Sequence, residues 1–320
     1  MNAAHPNAPA PGPVPQPGVE PPTATGLVAE LQRLGAPGWY LDAVTQPQSS
    51  RFITAADGTP LHLTQWNEHD CDKPVLLLLH GYRANTHAWD AVAPFLMPRF
   101  RVAALDWPGM GCSGHRAAYG GAAEAGSVLP AVVAALGGGP VTLVAHSFGG
   151  SAAVHAAHRW PGLFDRAIVV DSFIPVPGID TPPQGQAVGP RRAYPSREEI
   201  LRRFRLLPEQ PCPPWALRHM GHHSVREVAE GWTWRFDPAL PARALGFETW
   251  DAWRSLQVPV AFVVCEHSQV ARSAQRLRAL AQAHGRLQPW ATVANAHHHA
   301  MLDQPIALRE VLLGLLDGTS

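Results

Sequence analysis

Charged side chains are scarce in this sequence: Asp, Glu, Lys and Arg together make up 16% of its 320 residues. The 25 basic side chains balance the 25 acidic ones, so the formal net charge is zero at pH 7 with histidine neutral. A surface of this composition gives no broad electrostatic field that would attract a polyanion. We therefore expect no nucleic-acid partner.

Cysteine is also sparse, and its four copies are scattered without a close pair of metal-ligand spacing. This density is far below that of a small disulfide-stapled scaffold, so we expect free thiols in a reducing compartment. No run approaches the roughly 18 apolar residues of a membrane-spanning helix. Residues 1–25 lack the basic start and apolar run of a signal peptide. The sequence predicts a cytoplasmic protein with no membrane partner.

Proline and alanine dominate residues 1–25, which we expect to form a disordered arm. After residue 75, short apolar runs alternate with helical stretches, which is typical of βαβ units around a mostly parallel sheet. Ahead of them, Asp57-Gly58 favours a hairpin turn. We predict strands at 51–54, 60–66, 75–79, 101–105, 141–145, 167–170, 258–264 and 286–293, and helices at 26–34, 88–96, 122–136, 148–159, 268–283 and 305–316.

The gap between the predicted strands ending at residue 170 and beginning at residue 258 is too long for one crossover. It contains a capping-box signal, Ser196 followed by Glu199. We interpret residues 173–256 as an inserted helical cap on a core formed by residues 26–172 and 257–320. Six aromatic side chains of this segment are expected to favour an apolar ligand: Trp215, Trp232, Trp234, Phe236, Trp250 and Trp253.

Ser147 stands in the segment AHSFGG, residues 145–150, after an apolar run and before an alanine-rich helical run. A serine on a tight strand-to-helix turn exposes its hydroxyl at the end of the sheet, and small residues two positions away let strand and helix pack closely. Ala145 replaces the first glycine of the G-x-S-x-G pattern, which is a small departure. The sequence predicts Ser147 as a nucleophile, with the backbone amides of Phe148 and Tyr82 as oxyanion donors.

Four segments together resemble the α/β-hydrolase family: LHG at 79–81, LDWPGMGCSG at 105–114, HSFGG at 146–150 and HAMLDQP at 299–305. The resemblance covers roughly residues 50–317. It implies a mostly parallel sheet flanked by helices, with a cap inserted after the strand that follows the nucleophile helix. It also implies a serine, histidine and acid triad that needs no cofactor and no metal.

The resemblance places the catalytic base just after the last strand, where this chain has His297-His298-His299. Related hydrolases often read NAGHHLMLDQP there, and residues 295–305 match that register without a gap. His298 is then the base that takes the proton from Ser147, and His299 is the alternative. A metal site in this run is not expected, because consecutive side chains rarely converge on one ion. The cap residues His219, His222 and His223 are expected to be polar surface or pocket residues.

The acid departs from the family pattern. Most relatives carry it in a Gly-Glu-His-Asp-like turn after the penultimate strand, but this chain has CEHS at 265–268, and serine cannot supply the charge. Asp171, at the end of the strand after the nucleophile helix, is our preferred acid. Asp171 as a purely structural strand-end residue, Glu266 as the acid, and a triad without an acid remain alternatives.

These residues predict hydrolysis of an ester-like carbonyl in a small or medium apolar molecule, through an acyl-enzyme intermediate. Cleavage of a lactone, thioester or C–C bond, or a haloperoxidase-like reaction, would use the same triad. A non-catalytic binding protein that retains the fold is the alternative from a different class.

Overall fold

The computed structural model describes residues 25–181, 192–241, 246–270, 273–283 and 291–317. The predicted disordered arm lies outside the described residues except for Thr25, and so do residues 286–290 of the last predicted strand. None of the helices in the described ranges is long and apolar enough to cross a membrane. The four cysteines are free thiols. The cytoplasmic location stays a prediction.

Eight of the ten strands in the described ranges form one sheet, in the order β1-β2-β4-β3-β5-β6-β9-β10. The pairs β1–β2 and β2–β4 are antiparallel, and every other neighbouring pair in this sheet is parallel. The remaining two strands, β7 and β8, form a separate antiparallel hairpin. The strands are β1 (Ser49–Thr54), β2 (Pro60–Gln65), β3 (Val75–Leu79), β4 (Arg101–Leu105), β5 (Val141–His146), β6 (Phe164–Val170), β7 (Val225–Val228), β8 (Gly231–Trp234), β9 (Val260–Cys265) and β10 (Ala291–Val293).

Helices cover both faces of the sheet, so its central strands are continuous apolar runs rather than alternating ones. In β3, Leu77 and Leu79 belong to the cluster on one face, while Leu76 and Leu78 belong to the cluster on the other. The helices are α1 (Thr25–Arg33), α2 (Gly38–Val44), α3 (Ala122–Gly126), α4 (Leu129–Ala135), α5 (Phe148–Arg159), α6 (Arg197–Leu201), α7 (Pro214–His223), α8 (Glu248–Arg254), α9 (Ala274–Ala283), α10 (Ala300–Asp303) and α11 (Pro305–Leu316).

Three of the predicted helices are wrong in detail, and one of them, predicted from residue 268, begins at Ala274. Residues 88–96 form no α-helix; the structure has short 3₁₀ turns at Thr86–Trp89 and Ala93–Phe95. Pro94 explains this, because proline has no amide hydrogen and clashes with the preceding turn inside a helix. The single helix predicted at 122–136 is divided into α3 and α4, with Pro130 in the first turn of α4.

The segment between β6 and β9 carries α6, α7, the β7–β8 hairpin and α8. Ser196 caps α6, since its hydroxyl accepts a hydrogen bond from the Glu199 amide at 3.2 Å. Helix α8 packs against α5 and α9, and its fully buried Trp253 donates from the indole nitrogen to Leu280 O at 3.1 Å. The C-terminal part of the predicted cap therefore belongs to the packing of the main core. The division of the chain into core and cap stays a prediction.

Candidate active site

Ser147 lies in the sharp turn between β5 and α5, with φ at 55° and ψ at −121°. This left-handed backbone is costly for a residue with a side chain, and it occurs where surrounding packing fixes it. The packing here is close: a Cβ added at Gly149 would lie 2.6 Å from His80 O, and one added at Gly81 would lie 3.2 Å from Ser147 Cβ. The glycines therefore allow the loop after β3 to approach the serine.

Three predicted site residues form one hydrogen-bonded chain. His298 Nε2 lies 3.0 Å from Ser147 Oγ, and His298 Nδ1 lies 2.7 Å from Asp171 Oδ2. His298 is buried and Asp171 is fully buried. An ionised carboxylate can only accept, so Nδ1 carries the hydrogen and Nε2 is left to accept from the serine hydroxyl. This tautomer suits removal of the serine proton.

Ser268 has a partner that the sequence analysis missed. Its hydroxyl donates to Asp171 Oδ2, while the Cys265 amide donates to Asp171 Oδ1 at 3.2 Å. The serine at the position of the usual acid therefore binds Asp171, the predicted acid at the end of β6. Glu266 is exposed, and its carboxylate accepts from the Asn295 amide at 2.7 Å. The structure brings Asp171 to His298, and it directs Glu266 to a backbone group.

The three consecutive histidines have separate partners. The ring nitrogen Nδ1 of His297 lies 2.9 Å from Asp303 Oδ2, and that of His299 lies 2.8 Å from Gln210 Oε1. His298 alone of the three contacts Ser147. Gln210 could not be identified from sequence, because it lies 89 residues from its partner and in no motif.

Two histidines flank His298, of which His146 is buried and His299 is half-buried. His146 Nε2 donates to His298 O at 2.8 Å and so fixes the backbone of that residue. Burial, and next the neighbouring His298 and His299, lower the pKa of His146 well below its ordinary value. Burial, and next His298, lower the pKa of His299 in the same direction. Both rings are therefore neutral in the folded protein at a pH where the unfolded chain binds protons.

These lowered pKa values predict that stability falls as the pH drops below about 6.5, the ordinary histidine pKa. Below that pH the unfolded chain binds a proton that the folded ring does not bind. This lowers the free energy of unfolding by up to about 1.4 kcal/mol per pH unit for each proton. We expect His299→Gln to make the fall less steep. The measurement is the free energy of unfolding in urea from pH 7.5 to 5.5.

His69 supplies the control, because its side chain is 95% exposed. His69→Gln should leave the pH slope unchanged. Equal slopes for the wild type and His299→Gln would contradict the lowered pKa of His299.

The predicted oxyanion donors lie beside Ser147. Within the described part of the chain, no acceptor is paired with the backbone amide of Tyr82 or with that of Phe148. Their rings pack edge to face with centroids 5.5 Å apart, and the Tyr82 hydroxyl donates to Pro241 O at 2.5 Å. The loop after β3 is thus fixed against both α5 and the segment that follows β8.

A cavity of about 300 Å³ opens at Ser147 and His298. Its wall is mostly apolar, and Arg83 adds a guanidinium group that lies 4.9 Å from the Tyr82 ring centroid. Of the six cap aromatics that were expected to favour an apolar ligand, Trp234 and Phe236 line this cavity. The others pack elsewhere, as Trp253 does in the core. The apolar part of the wall includes Phe204, Leu206, Leu207, Met220, Trp234 and Phe236.

His219 and His223 were expected at the surface or in a pocket, but both are buried and neither lines this cavity. His219 Nε2 lies 2.9 Å from Asp90 Oδ2. His222 is half-buried and contacts Arg197. The i, i+4 spacing of His219 and His223 places both on the face of α7 that packs inward.

Comparison with known proteins gives matches at both the sequence and the structure level. The model of the "Alpha/beta hydrolase family" matches residues 76–311. An uncharacterized protein of Mycobacterium bovis is 39% identical over 100 residues, which cover 31% of this chain and 29% of that protein. The matched part of the chain thus spans less than a third of that relative's length.

Solved structures are similar over most of the chain. An esterase of Mycobacterium tuberculosis has a TM-score of 0.66 at 24% identity, covering 91% of this chain and 96% of that one. E-2-(acetamidomethylene)succinate hydrolase has a TM-score of 0.68 at 21% identity, covering 85% of this chain and 100% of that one. These two likenesses show a common fold.

Proposed function

Since the chain belongs to the alpha/beta hydrolase family, we propose that it is a serine hydrolase. In this proposal it attacks an ester-like carbonyl and hydrolyses the bond to the leaving oxygen through an acyl-enzyme intermediate. The observation that carries this proposal is the chain of hydrogen bonds from Asp171 through His298 to Ser147, at 2.7 and 3.0 Å. This chain of hydrogen bonds ends at the hydroxyl of Ser147, which lines the cavity. A nucleophile, a base and a group that orients the base are the parts that acyl transfer requires.

In the proposed mechanism, Ser147 Oγ attacks the carbonyl carbon while His298 Nε2 takes its proton. Asp171 stabilises the resulting imidazolium and keeps the ring in position. The Tyr82 and Phe148 amides bind the oxyanion, where a lost donor typically costs about 10²-fold to 10³-fold in kcat. His298 then gives its proton to the leaving oxygen, and a water molecule activated by the same nitrogen releases the acyl group.

The cavity supports a small or medium apolar substrate. Its volume of about 300 Å³ lies at the lower end of the range for small-molecule sites, and apolar side chains form most of its wall. Ser147 and His298 line this cavity together with Trp234 and Phe236 of the proposed cap. We propose that the acyl chain lies along these apolar side chains, with its carbonyl at Ser147. The esterase with a similar fold is consistent with this chemistry.

Covalent labelling tests the proposal directly. We expect a fluorophosphonate probe to modify wild-type protein at Ser147, located by mass spectrometry of the digested adduct, because only an activated serine attacks such phosphorus centres readily. Denatured protein should not react. Ser151→Ala is the matched control, since Ser151 lies one turn further along α5 and is buried with its hydroxyl on Phe173 O at 3.3 Å. Labelling of that variant should equal the wild type. Folded wild type that stays unlabelled across neutral pH would favour the binding-protein alternative.

A further inference from the structure

A second group of titratable side chains lies away from the reacting atoms, where α7 meets the 3₁₀ turn at Thr86–Trp89. We call it the three-histidine cluster. All four of its side chains are buried, and one ligand atom from each lies within 4.8 Å of the others. Its members are His87, Asp90, His219 and His223.

Asp90 is the centre of the cluster. Its Oδ2 lies 2.7 Å from His87 Nδ1 and 2.9 Å from His219 Nε2, and its Oδ1 accepts from Gln48 Nε2 at 3.0 Å. Burial alone would raise the pKa of Asp90, but His87 and His219 outweigh it and hold that pKa well below its ordinary value. The Asp90 side chain is fully buried. Within the described ranges its ion-pair partners are histidines only.

A buried charge is stable when it is paired or when it coordinates a metal. His87 and His219 give Asp90 hydrogen bonds, but within the described ranges the carboxylate is paired with no permanent positive charge such as an arginine or lysine side chain. A divalent cation would supply that charge and would use the imidazole nitrogens as ligands. Two of them, on His219 and His223, come from one face of α7 at i, i+4 spacing, which is a common way for a helix to present metal ligands.

We propose that the three-histidine cluster binds a divalent transition metal of the zinc class. Three imidazole nitrogens and one carboxylate oxygen form a four-ligand set that suits tetrahedral Zn²⁺, and imidazole ligands select this class over Mg²⁺ or Ca²⁺. The rings of His87 and His223 are stacked, with centroids 3.6 Å apart and planes at 13°. One of them must turn for both to coordinate. The expectation that the protein holds no metal was based on motif spacing, and the sequence separates these ligands into two distant pairs.

The position of the cluster gives the ion a structural role. It joins α7 to the turn that follows the loop carrying Tyr82, and Asn85 already links these parts by donating to His223 O at 3.1 Å. Met220 and Ser224, on the same stretch as the ligands, line the cavity at Ser147. The ion would fix that wall of the cavity against the core. This inference does not depend on the proposed hydrolysis.

The test is titration of chelator-treated, full-length protein with Co²⁺, whose tetrahedral complexes absorb strongly in the visible region. We expect one Co²⁺ per chain with intense visible bands, displacement by Zn²⁺, and a rise in Tm of about 5 °C at a hundredfold excess of Zn²⁺ over its Kd. His219→Ala should abolish the bands. Asp90→Asn, which keeps the side-chain shape, should weaken binding at least tenfold and provides a second variant if the first fails to fold.

His222→Ala is the control, because His222 lies between the ligands on α7 but contacts Arg197. It should bind Co²⁺ as the wild type does. Folded wild type without visible bands or a Tm shift would overturn the proposal. Bands that persist in His219→Ala and disappear in His297→Gln would also overturn it, because they would place the ion at the run of histidines after β10.

Discussion

Replacement of Ser147 by alanine is expected to lower kcat for the hydrolysis of p-nitrophenyl butyrate about 10⁶-fold. A loss of this size is seen when a triad enzyme loses its nucleophile. The variant keeps the oxyanion amides of Tyr82 and Phe148 and the cavity, so a residual rate of about 10³-fold to 10⁴-fold over the reaction in water should remain. Steady-state kinetics with highly purified protein measures both numbers. KM should change little, because the serine hydroxyl contributes little to ground-state binding.

The design separates loss of chemistry from loss of folding. The backbone at Ser147 has positive φ, and alanine tolerates that conformation no better than serine, so we expect similar unfolding curves in urea for the variant and the wild type. Ser151→Ala should retain kcat within a few fold. A Ser147→Ala enzyme that keeps more than a tenth of the wild-type kcat would exclude the acyl-enzyme mechanism at this residue.

The sequence predicted the central strands well because local physics determines them. In β3 and β4 every residue or nearly every residue is buried, so each strand is a continuous apolar run that ends where the chain turns. The hairpin of β1 and β2 follows from Asp57-Gly58, where Gly58 has φ at 84°. Ser147 and His298 could be proposed because each lies in a short motif after a strand, Ser147 after β5 and His298 after β10.

The features that sequence reasoning missed depend on contacts between distant segments. Ser268 could be recognised as a departure from the family pattern, but not as a donor to Asp171, which lies 97 residues away. The aromatic side chains of residues 173–256 were numerous enough to suggest a ligand site, yet Trp253 packs in the core because α8 lies against α5. The clustering of Asp90 with His219 has the same cause, since nothing near either residue in the sequence indicates the other.

Replacement of Asp171 by asparagine should lower kcat by about 10⁴, because an amide can present a donor to His298 Nδ1 and so favour the wrong tautomer of the ring. Glu266→Gln is the matched change of the other candidate acid, and we expect it to retain kcat within about twofold, since the Glu266 carboxylate binds the Asn295 amide. Steady-state kinetics at several pH values, together with urea unfolding of each variant, measures the difference. A large loss in Glu266→Gln with little loss in Asp171→Asn would make Glu266 the acid.

The contact between Ser268 and Asp171 allows a stricter test than a loss of activity. Ser268 Oγ donates to the same oxygen, Asp171 Oδ2, that lies 2.7 Å from His298 Nδ1. An aspartate side chain at position 268 reaches one atom further than a serine side chain. The double variant Asp171→Asn/Ser268→Asp should therefore have a kcat at least tenfold higher than Asp171→Asn alone. In the wild-type background Ser268→Asp should reduce activity, because two carboxylates would then meet in a buried site. Rescue in the Asp171→Asn background together with damage in the wild-type background would show that carboxylates at positions 171 and 268 act on the same ring, that of His298. Equal damage in both backgrounds would contradict this prediction, because it would show that a carboxylate at position 268 does not act on His298.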